Sequence, residues 1–330
     1  MERDLPKACI TLALTEDTRG GVEAVCVPRH LPSGYSDEEF RAALAEAEGL
    51  LCSNQLPIDA RVMDLAPRLR VISGFGVGYN NVDVEEATRR GIAVCNTPGV
   101  LSAAVADLTI GMILAASRGM VASASYVRSG GWSRREPLPP LGWDVAGKTL
   151  GLVGFGRIGK AVAERARAFG MRIVCHDVFS DPGPGWQDCA MLPFDDLLRE
   201  SDVLSLHVNL TPRTHHLIDA RALGLMKPTA WIINTSRGPV IDQKALTAAL
   251  QSGQVAGAVL DVLEDEPPAP DDPILTLPNA IIFPHIGSAT VETRAAMLDL
   301  AVRNFTAVMS GQTPPECVNP EVLERALPRR

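Results

Sequence analysis

The sequence predicts an α/β protein built from parallel sheets in two domains, and three observations carry that prediction. Short apolar runs alternate with stretches of helical spacing along nearly the whole chain, the pattern of parallel strands joined by helical crossovers. The stretch from 148 to 177, KTLGLVGFGRIGKAVAERARAFGMRIVCHD, condenses that alternation into one unit of strand, glycine turn, helix, strand and acid. With 330 residues, of which 46% are apolar, the chain is long enough for two separate cores.

The first hundred residues supply one run of alternation. ACITLAL (8–14) and VEAVCV (22–27) read as the first two strands. Ser36-Asp37-Glu38-Glu39 reads as a helix start, with Ser36 or Asp37 as cap and Phe40, Leu44 and Ala47 inward. A third strand is expected over 49–53, a short helix over 58–66 ending before Pro67, and a fourth strand over 70–73. GFGVGYNNVD (74–83) is a glycine- and asparagine-rich loop, followed by a helix over 84–90 and a strand over 92–95. Residues 103–128 then read as one long helix whose apolar face is too wide for a surface helix, so burial between domains, between subunits or both is expected. Gly130, Gly131, Pro137, Pro139 and Pro140 break regular structure. Trp132 and Trp143 among them either pack on another body or pin the loop to its own domain.

The second run begins at Lys148. Leu150, Leu152 and Val153 make a strand, and Ile158, Val162, Ala166 and Phe169 share one helical face. Met171–Cys175 is the next strand, and SDPGPGW (180–186) a turn. Helices are expected over 194–198, 217–225, 243–252 and about 290–309, and strands over 203–208, 230–235, 255–261 and 280–283.

The glycines of the 148–177 unit have separate jobs. Gly154 permits the tight turn, Gly156 lets backbone approach a pyrophosphate, and Gly159 lets the helix pack closely on the strand. The N-terminal end of that helix then faces the anion, and Asp177, about 20 residues on, is placed to accept hydrogen bonds from ribose hydroxyls. The unit therefore points to a dinucleotide. The acid favours NAD, since a 2′-phosphate would meet its charge, while His176 and Arg157 nearby leave NADP open.

Composition removes other classes. A net charge of −8 argues against nucleic acid and against an acidic membrane surface. No apolar stretch approaches the length of a membrane span, and the N-terminus does not read as a signal peptide. Seven scattered cysteines with no C-x-x-C read as small buried hydrophobes in a reducing, cytoplasmic setting, and no metal is expected.

Ligands of an open parallel sheet sit beyond the carboxyl ends of its strands. After the successive strands of the second run lie the glycines, Asp177, His207 with the loop to Pro212, Thr235-Ser236-Arg237, Asp261 with Glu266 beyond it, and His285. A reaction can be assembled there. A nicotinamide carries hydride, a histidine exchanges the proton of an alcohol, a glutamate fixes that histidine's tautomer, and an arginine clamps a carboxylate and polarises the adjoining carbonyl.

NTSRGPVID (234–242), LDVLEDEP (260–267), PHIGSAT (284–290) and VGFGRIG (153–159), with SGFGVGYNNVD (73–83) and NTPGVLS (96–102), together resemble the D-isomer-specific 2-hydroxyacid dehydrogenases over essentially the whole chain. The likeness is greatest to the glyoxylate/hydroxypyruvate reductase branch. The resemblance implies a Rossmann nucleotide domain at about 103–286 inserted into a flavodoxin-like substrate domain formed by 1–102 and 287–330. It implies Arg237 on the substrate carboxylate and carbonyl, His285 as acid and base, and Glu266 orienting His285. It gives the backbone N–H groups of Val77 and Gly78 to the substrate carboxylate; Ser288 is a further candidate for the substrate pocket that no motif fixes. Arg157 and Ile158 would lie at the pyrophosphate, Asp261 at the carboxamide side of the nicotinamide, and His207, Pro212, Thr235, Ser236 and Gly287 elsewhere along the cofactor. A homodimer through the nucleotide domain and the 103–128 helix also follows.

The expected activity is NAD(P)H-dependent reduction of a small 2-oxo acid, glyoxylate or hydroxypyruvate, to the D-2-hydroxy acid. A 3-phosphoglycerate or other D-2-hydroxyacid dehydrogenase is the alternative, disfavoured because the 74–83 loop holds no cation for a phosphate. A non-catalytic NAD sensor of the corepressor type is the rival from outside the enzymes. The preferred acid, the physiological direction and the part played by residues 132–143 have no motif to fix them.

Overall fold

The computed structural model describes residues 5–31, 33–178, 183–186 and 189–326, arranged as two compact units. One comprises Met1–Leu101 and Thr290–Arg330, the other Ser102–Ala289. Within the described residues no single helix is long and apolar enough to cross a membrane.

The first unit runs β1 (Lys7–Ile10), α1 (Glu16–Glu23), β2 (Val27–His30), α2 (Asp37–Leu44), β3 (Ala47–Ser53), α3 (Ala60–Asp64), β4 (Val71–Phe75), α4 (Val84–Arg90) and β5 (Ala93–Cys95). Its five strands are all parallel, in the order β2-β1-β3-β4-β5. The cap at Ser36 is a full capping box, with Glu39 reaching back to the Ser36 N–H at 2.8 Å. The strand expected at 22–27 is not there. Thr15 caps a helix over 16–23 with Glu16 and Asp17 in its first turn, and the sheet resumes only at Val27. Gly20-Gly21 masked that helix in the sequence. β1 also stops at Ile10, four residues short of the expected end.

The helix Val291–Met309 completes this unit and packs on β3, β4 and β5. Gly49 makes the approach possible, since a Cβ there would lie 2.5 Å from the Phe305 ring. The C-terminal segment is tied in by polar side chains: Asn319 accepts from Val94 N at 2.8 Å and donates to Ile92 O at 3.0 Å.

The second unit contains α5 (Ser102–Ser117), α6 (Met120–Arg128), β6 (Thr149–Val153), α7 (Arg157–Ala168), β7 (Arg172–His176), β8 (Ala190–Met191), α8 (Phe194–Glu200), β9 (Val203–Leu206), α9 (Ala220–Leu225), β10 (Trp231–Asn234), α10 (Gln243–Ser252), β11 (Gly257–Leu260) and β12 (Ala280–Ile282). Its seven strands are parallel, in the order β12-β11-β10-β9-β6-β7-β8. The chain moves outward from β6 to β8, then returns to the other side of β6 as β9. That reversal opens a crevice beyond the carboxyl ends of β6 and β9, the position where doubly wound sheets bind ligands. Alternate strand residues feed two cores: Val153, Leu204 and Ile232 into one, Leu152, Val203 and Ile233 into the other.

The single helix expected over 103–128 is two helices bent by 65°. Gly119, at φ +55°, ends α5 in the left-handed region, and the Trp143 N–H takes the Ser117 carbonyl at 2.8 Å. The wide apolar face belongs to α5 alone, which packs on α7, β10 and β11, whereas α6 has no buried residue. Asp107 on α5 pairs with Arg165 on α7 at 2.6 Å. The two tryptophans divide the alternatives: Trp143 joins the core beneath α5, and Trp132 is 68% exposed. β8 had no signal in the sequence, and residues 180–182 of the expected 180–186 turn lie outside the described residues.

Candidate active site

The glycine turn follows β6 directly. Gly154 has φ +92°, and a Cβ on it would meet the His207 carbonyl at 2.6 Å, so the turn is pressed against the end of β9. A Cβ on Gly159 would lie 2.3 Å from Gly154 O, which is the close helix–strand packing expected of that position. At Gly156 the result differs, because a Cβ there would meet nothing within 4 Å. Two glycines are required by the protein's own packing. The third borders open space at the start of α7, whose first turn carries no acid and has Arg157 exposed and Ile158 half-buried. That is a cradle a pyrophosphate fits.

Asp177 stands at the end of β7 and accepts a hydrogen bond from Phe155 N at 2.6 Å, tying the acid to the glycine turn. An ionised carboxylate has about four acceptor positions, the kind of group that ribose hydroxyls bond. His207, just past β9, bonds Ser205 Oγ through Nε2 at 2.9 Å, and burial pulls its pKa below the ordinary imidazole range. Pro212 is exposed in a turn closed by Thr214 Oγ1 donating to Asn209 O at 2.6 Å.

Asn234, the fully buried last residue of β10, folds the next turn. Its Oδ1 accepts from Ser236 N (2.9 Å) and Oγ (2.8 Å), and its Nδ2 donates to Arg237 O (3.0 Å). Thr235 shares a hydrogen bond with Thr109 of α5 at 3.2 Å. Arg237 donates from Nη1 to Ser236 O at 2.7 Å. Burial pushes its guanidinium down from the ordinary arginine value, and the charge of Glu266 acts in the opposite sense. Gly238 has no room for a side chain, since a Cβ would fall 1.8 Å from the Leu263 carbonyl oxygen. The Arg237 turn and the loop bearing Glu266 are thus in direct backbone contact.

Glu266 and His285 are joined, with His285 Nδ1 2.7 Å from Glu266 Oε2. The other Glu266 oxygen accepts from Leu263 N at 3.2 Å. Burial raises the Glu266 pKa, but the bond and charge of His285, the Leu263 N–H and the charge of Arg237 outweigh it, and the net direction is down. His285 has φ +54°, a region few non-glycine residues occupy, and its N–H donates to Asp261 O at 2.9 Å. The Asp261 carboxylate, 1% exposed, accepts from Ile286 N (2.8 Å) and Gly287 N (2.7 Å), so it holds the turn after His285. Burial moves its pKa up, more than those two N–H groups and the His285 charge pull it down. Ser288 follows, half-buried.

Val77 and Gly78 belong to the other unit. Both are half-buried in the loop after β4, where Val77 O accepts from Asn96 Nδ2 at 2.7 Å. Glu266 meets His285, whereas Glu264, two residues earlier, meets His216. His216, Asn234 and Leu263 had not been singled out in the sequence. Only the Asn immediately before Thr-Ser-Arg offered a signal, as a residue that folds its own backbone. No group of three or more His, Cys, Asp or Glu converges as a metal site would among the described residues.

A dinucleotide cradle at a topological switch point, with a histidine–glutamate pair and a half-buried arginine at neighbouring strand ends, defines an NAD(P)-dependent oxidoreductase. Comparison with known proteins agrees. The family described as "D-isomer specific 2-hydroxyacid dehydrogenase, NAD binding domain" matches residues 110–287. A glyoxylate reductase of Korarchaeum cryptofilum is 49% identical over 270 residues, 81% of each chain. The crystal structure of a glyoxylate reductase from Paecilomyes thermophila superposes with a TM-score of 0.88 at 33% identity, covering 96% of this chain and 99% of that one. An NADPH-dependent glyoxylate/hydroxypyruvate reductase from Sinorhizobium meliloti, crystallised with NADP and malonate, gives 0.86 at 33% identity over 98% and 99%. The chain belongs to the D-isomer-specific 2-hydroxyacid dehydrogenases and is an NAD(P)H-dependent enzyme of 2-oxo acid reduction.

Proposed function

We propose that this enzyme reduces glyoxylate, and hydroxypyruvate as a close second substrate, to the 2-hydroxy acid, with NADH preferred. The observation that carries the proposal is the 2.7 Å contact between His285 Nδ1 and Glu266 Oε2 at the strand ends of the nucleotide unit. The relatives named as glyoxylate reductases support the choice of substrate.

The nicotinamide, when bound, supplies the hydride. Gly154, Gly156, Gly159, Arg157 and Ile158 would hold the pyrophosphate and Asp177 the ribose, and His207, Pro212, Thr235, Ser236, Asp261 and Gly287 would line the rest. The remaining chemistry falls to three side chains. Arg237 clamps the substrate carboxylate and draws charge from the neighbouring carbonyl oxygen, with a strength that burial increases. With Nδ1 committed to Glu266, His285 presents Nε2 as the acid that delivers a proton to that oxygen. In the oxidative direction the same nitrogen removes the hydroxyl proton. Glu266 fixes the ring and stabilises its cation. Asp177 favours NADH because its carboxylate repels a 2′-phosphate.

We also assign a homodimer to the second unit. α6 and the loop beyond it leave Trp132, Leu138 and Leu141 at 68%, 74% and 100% exposure, an apolar surface that a second copy would cover.

The test is NADH and NADPH oxidation against a panel of 2-oxo acids, run beside His285→Ala. Turnover of the variant should fall by about 100-fold or more with NADH affinity retained, since general acid–base help is worth about 10²–10⁴. No reduction of any 2-oxo acid by the native chain would leave the NAD-sensor reading in its place.

A further inference from the structure

We propose that His216 and Glu264 are positioning residues for Glu266, clamping the loop that carries the glutamate to the turn that carries Arg237. The proposal rests on the reading of Glu266 and His285 as the proton-handling pair. Glu264 lies two residues before Glu266, and its carboxylate meets His216 Nε2. Its backbone N–H donates to Gln243 Oε1 at 3.0 Å, and Gln243 Nε2 donates to Asp272 Oδ2 at 2.7 Å farther along the same loop. The opposite side of the clamp is equally fixed. His216 N donates to Pro239 O at 2.8 Å, Ile218 N to Val240 O at 3.1 Å, and Asp242 N to Ile218 O at 3.1 Å. His216 is therefore stitched to the short helical turn Gly238–Val240 that begins right after Arg237. Leu263, whose carbonyl abuts Gly238, is also the residue whose N–H holds Glu266.

Backbone conformation singles out the same histidine. The described non-glycine residues with positive φ are Arg135, His216 (+51°) and His285 (+54°), so two of the three are histidines facing a glutamate of the 264–266 loop. Residues stay in that region when their surroundings hold them, and such positions gather at functional sites. The His215 ring stacks on His216 with centroids 4.0 Å apart, restricting its rotation. The His216 and Glu264 side chains are 37% and 26% exposed. A side-chain contact that open to water adds little to stability. What it supplies is the position of the loop, and through Leu263 the aim of the Glu266 carboxylate at His285.

The experiment uses the full chain with NADH and glyoxylate. Glu264→Ala and His216→Ala should each lower kcat about 10-fold, short of the roughly 100-fold that a 1 Å misplacement costs. KM for glyoxylate, the affinity for NADH and the thermal midpoint should stay near wild type. The double variant should be no worse than either single one, because one interaction is lost in each. His216→Gln, which keeps an N–H donor, should recover most of the lost turnover. Added to His285→Ala, the Glu264→Ala change should have no further effect. Unchanged kcat in both alanine variants overturns the proposal, as does a fall in kcat that tracks a lowered midpoint or is not rescued by glutamine. If His285→Ala is inactive while Glu264→Ala turns over normally, the clamp alone fails. If His285→Ala itself turns over normally, the reading beneath it has failed.

Discussion

Replacing Glu266 by Gln tests the reaction centre with the least change of shape. The substitution keeps an oxygen for the Leu263 N–H and removes the charge that faces His285 Nδ1 at 2.7 Å. A charge-assisted hydrogen bond is worth about 1.5–3 kcal/mol. His285 and Glu266 have side chains 36% and 31% exposed, so solvent screening reduces the charge contribution. About 1–2 kcal/mol of transition-state stabilisation is left to lose, and at 1.36 kcal/mol per decade kcat for reduction falls about 5- to 30-fold. The assay is steady-state loss of NADH absorbance at saturating glyoxylate, with NADH affinity measured separately and expected to hold. Stability should respond to pH with a definite sign. The folded-state pKa of Glu266 lies below its ordinary value, so the pair stabilises the fold above that ordinary value and loses its contribution as pH falls through the folded one. The Gln variant should therefore show a flatter acid limb in thermal midpoint against pH. Wild-type turnover in the variant, or an unchanged acid limb, would refute the reasoning.

Two further predictions come from the same unit. Asp177→Ala should weaken NADH more than NADPH, and Asp177→Asn, which keeps an acceptor for the Phe155 N–H, should show the same preference with less overall loss; equal losses for both cofactors in titration would remove the ribose role. Gly238→Ala places a Cβ 1.8 Å from Leu263 O, where backbone on both sides must move, so it should cost about 1–3 kcal/mol or more in chemical unfolding and depress turnover by spreading Arg237 from Glu266. A variant as stable and as active as wild type would show that the contact has slack.

The inner strands of both parallel sheets were legible because they are buried on two faces and read as continuous apolar runs, whereas the edge strands β2 and β8 are largely open to solvent and were not. The misreadings have physical causes. α1 carries Gly20 and Gly21 in its middle, and its stability comes from Thr15 at one end and Val22 against the core, neither of which gives helical periodicity over eight residues. The 102–128 stretch keeps its apolar character through the bend, so periodicity alone could not see the end of α5. The carbonyl of Ser117 is capped by Trp143, 26 residues away. Arg237, Glu266 and His285 could be picked out as candidates because each follows a strand, and the structure joins two of them, Glu266 and His285. His216 could not, because its partner Glu264 is 48 residues distant and each alone reads as a solvated surface residue.

The turns that aim the reactive groups are shaped by buried polar residues at or next to strand ends. Asn234 folds the turn that delivers Arg237, and Asp261 the one that delivers His285. For Asp261 this arrangement opposes stability. Its folded-state pKa is raised, so the folded protein loses stability as pH climbs from the unfolded-state value towards the folded one. An asparagine could offer one acceptor without that cost. It could not offer two equivalent oxygens to the Ile286 and Gly287 N–H groups. The carboxylate has a structural task in that place: with two hydrogen bonds it fastens the turn that follows His285, whose own backbone lies in the left-handed region.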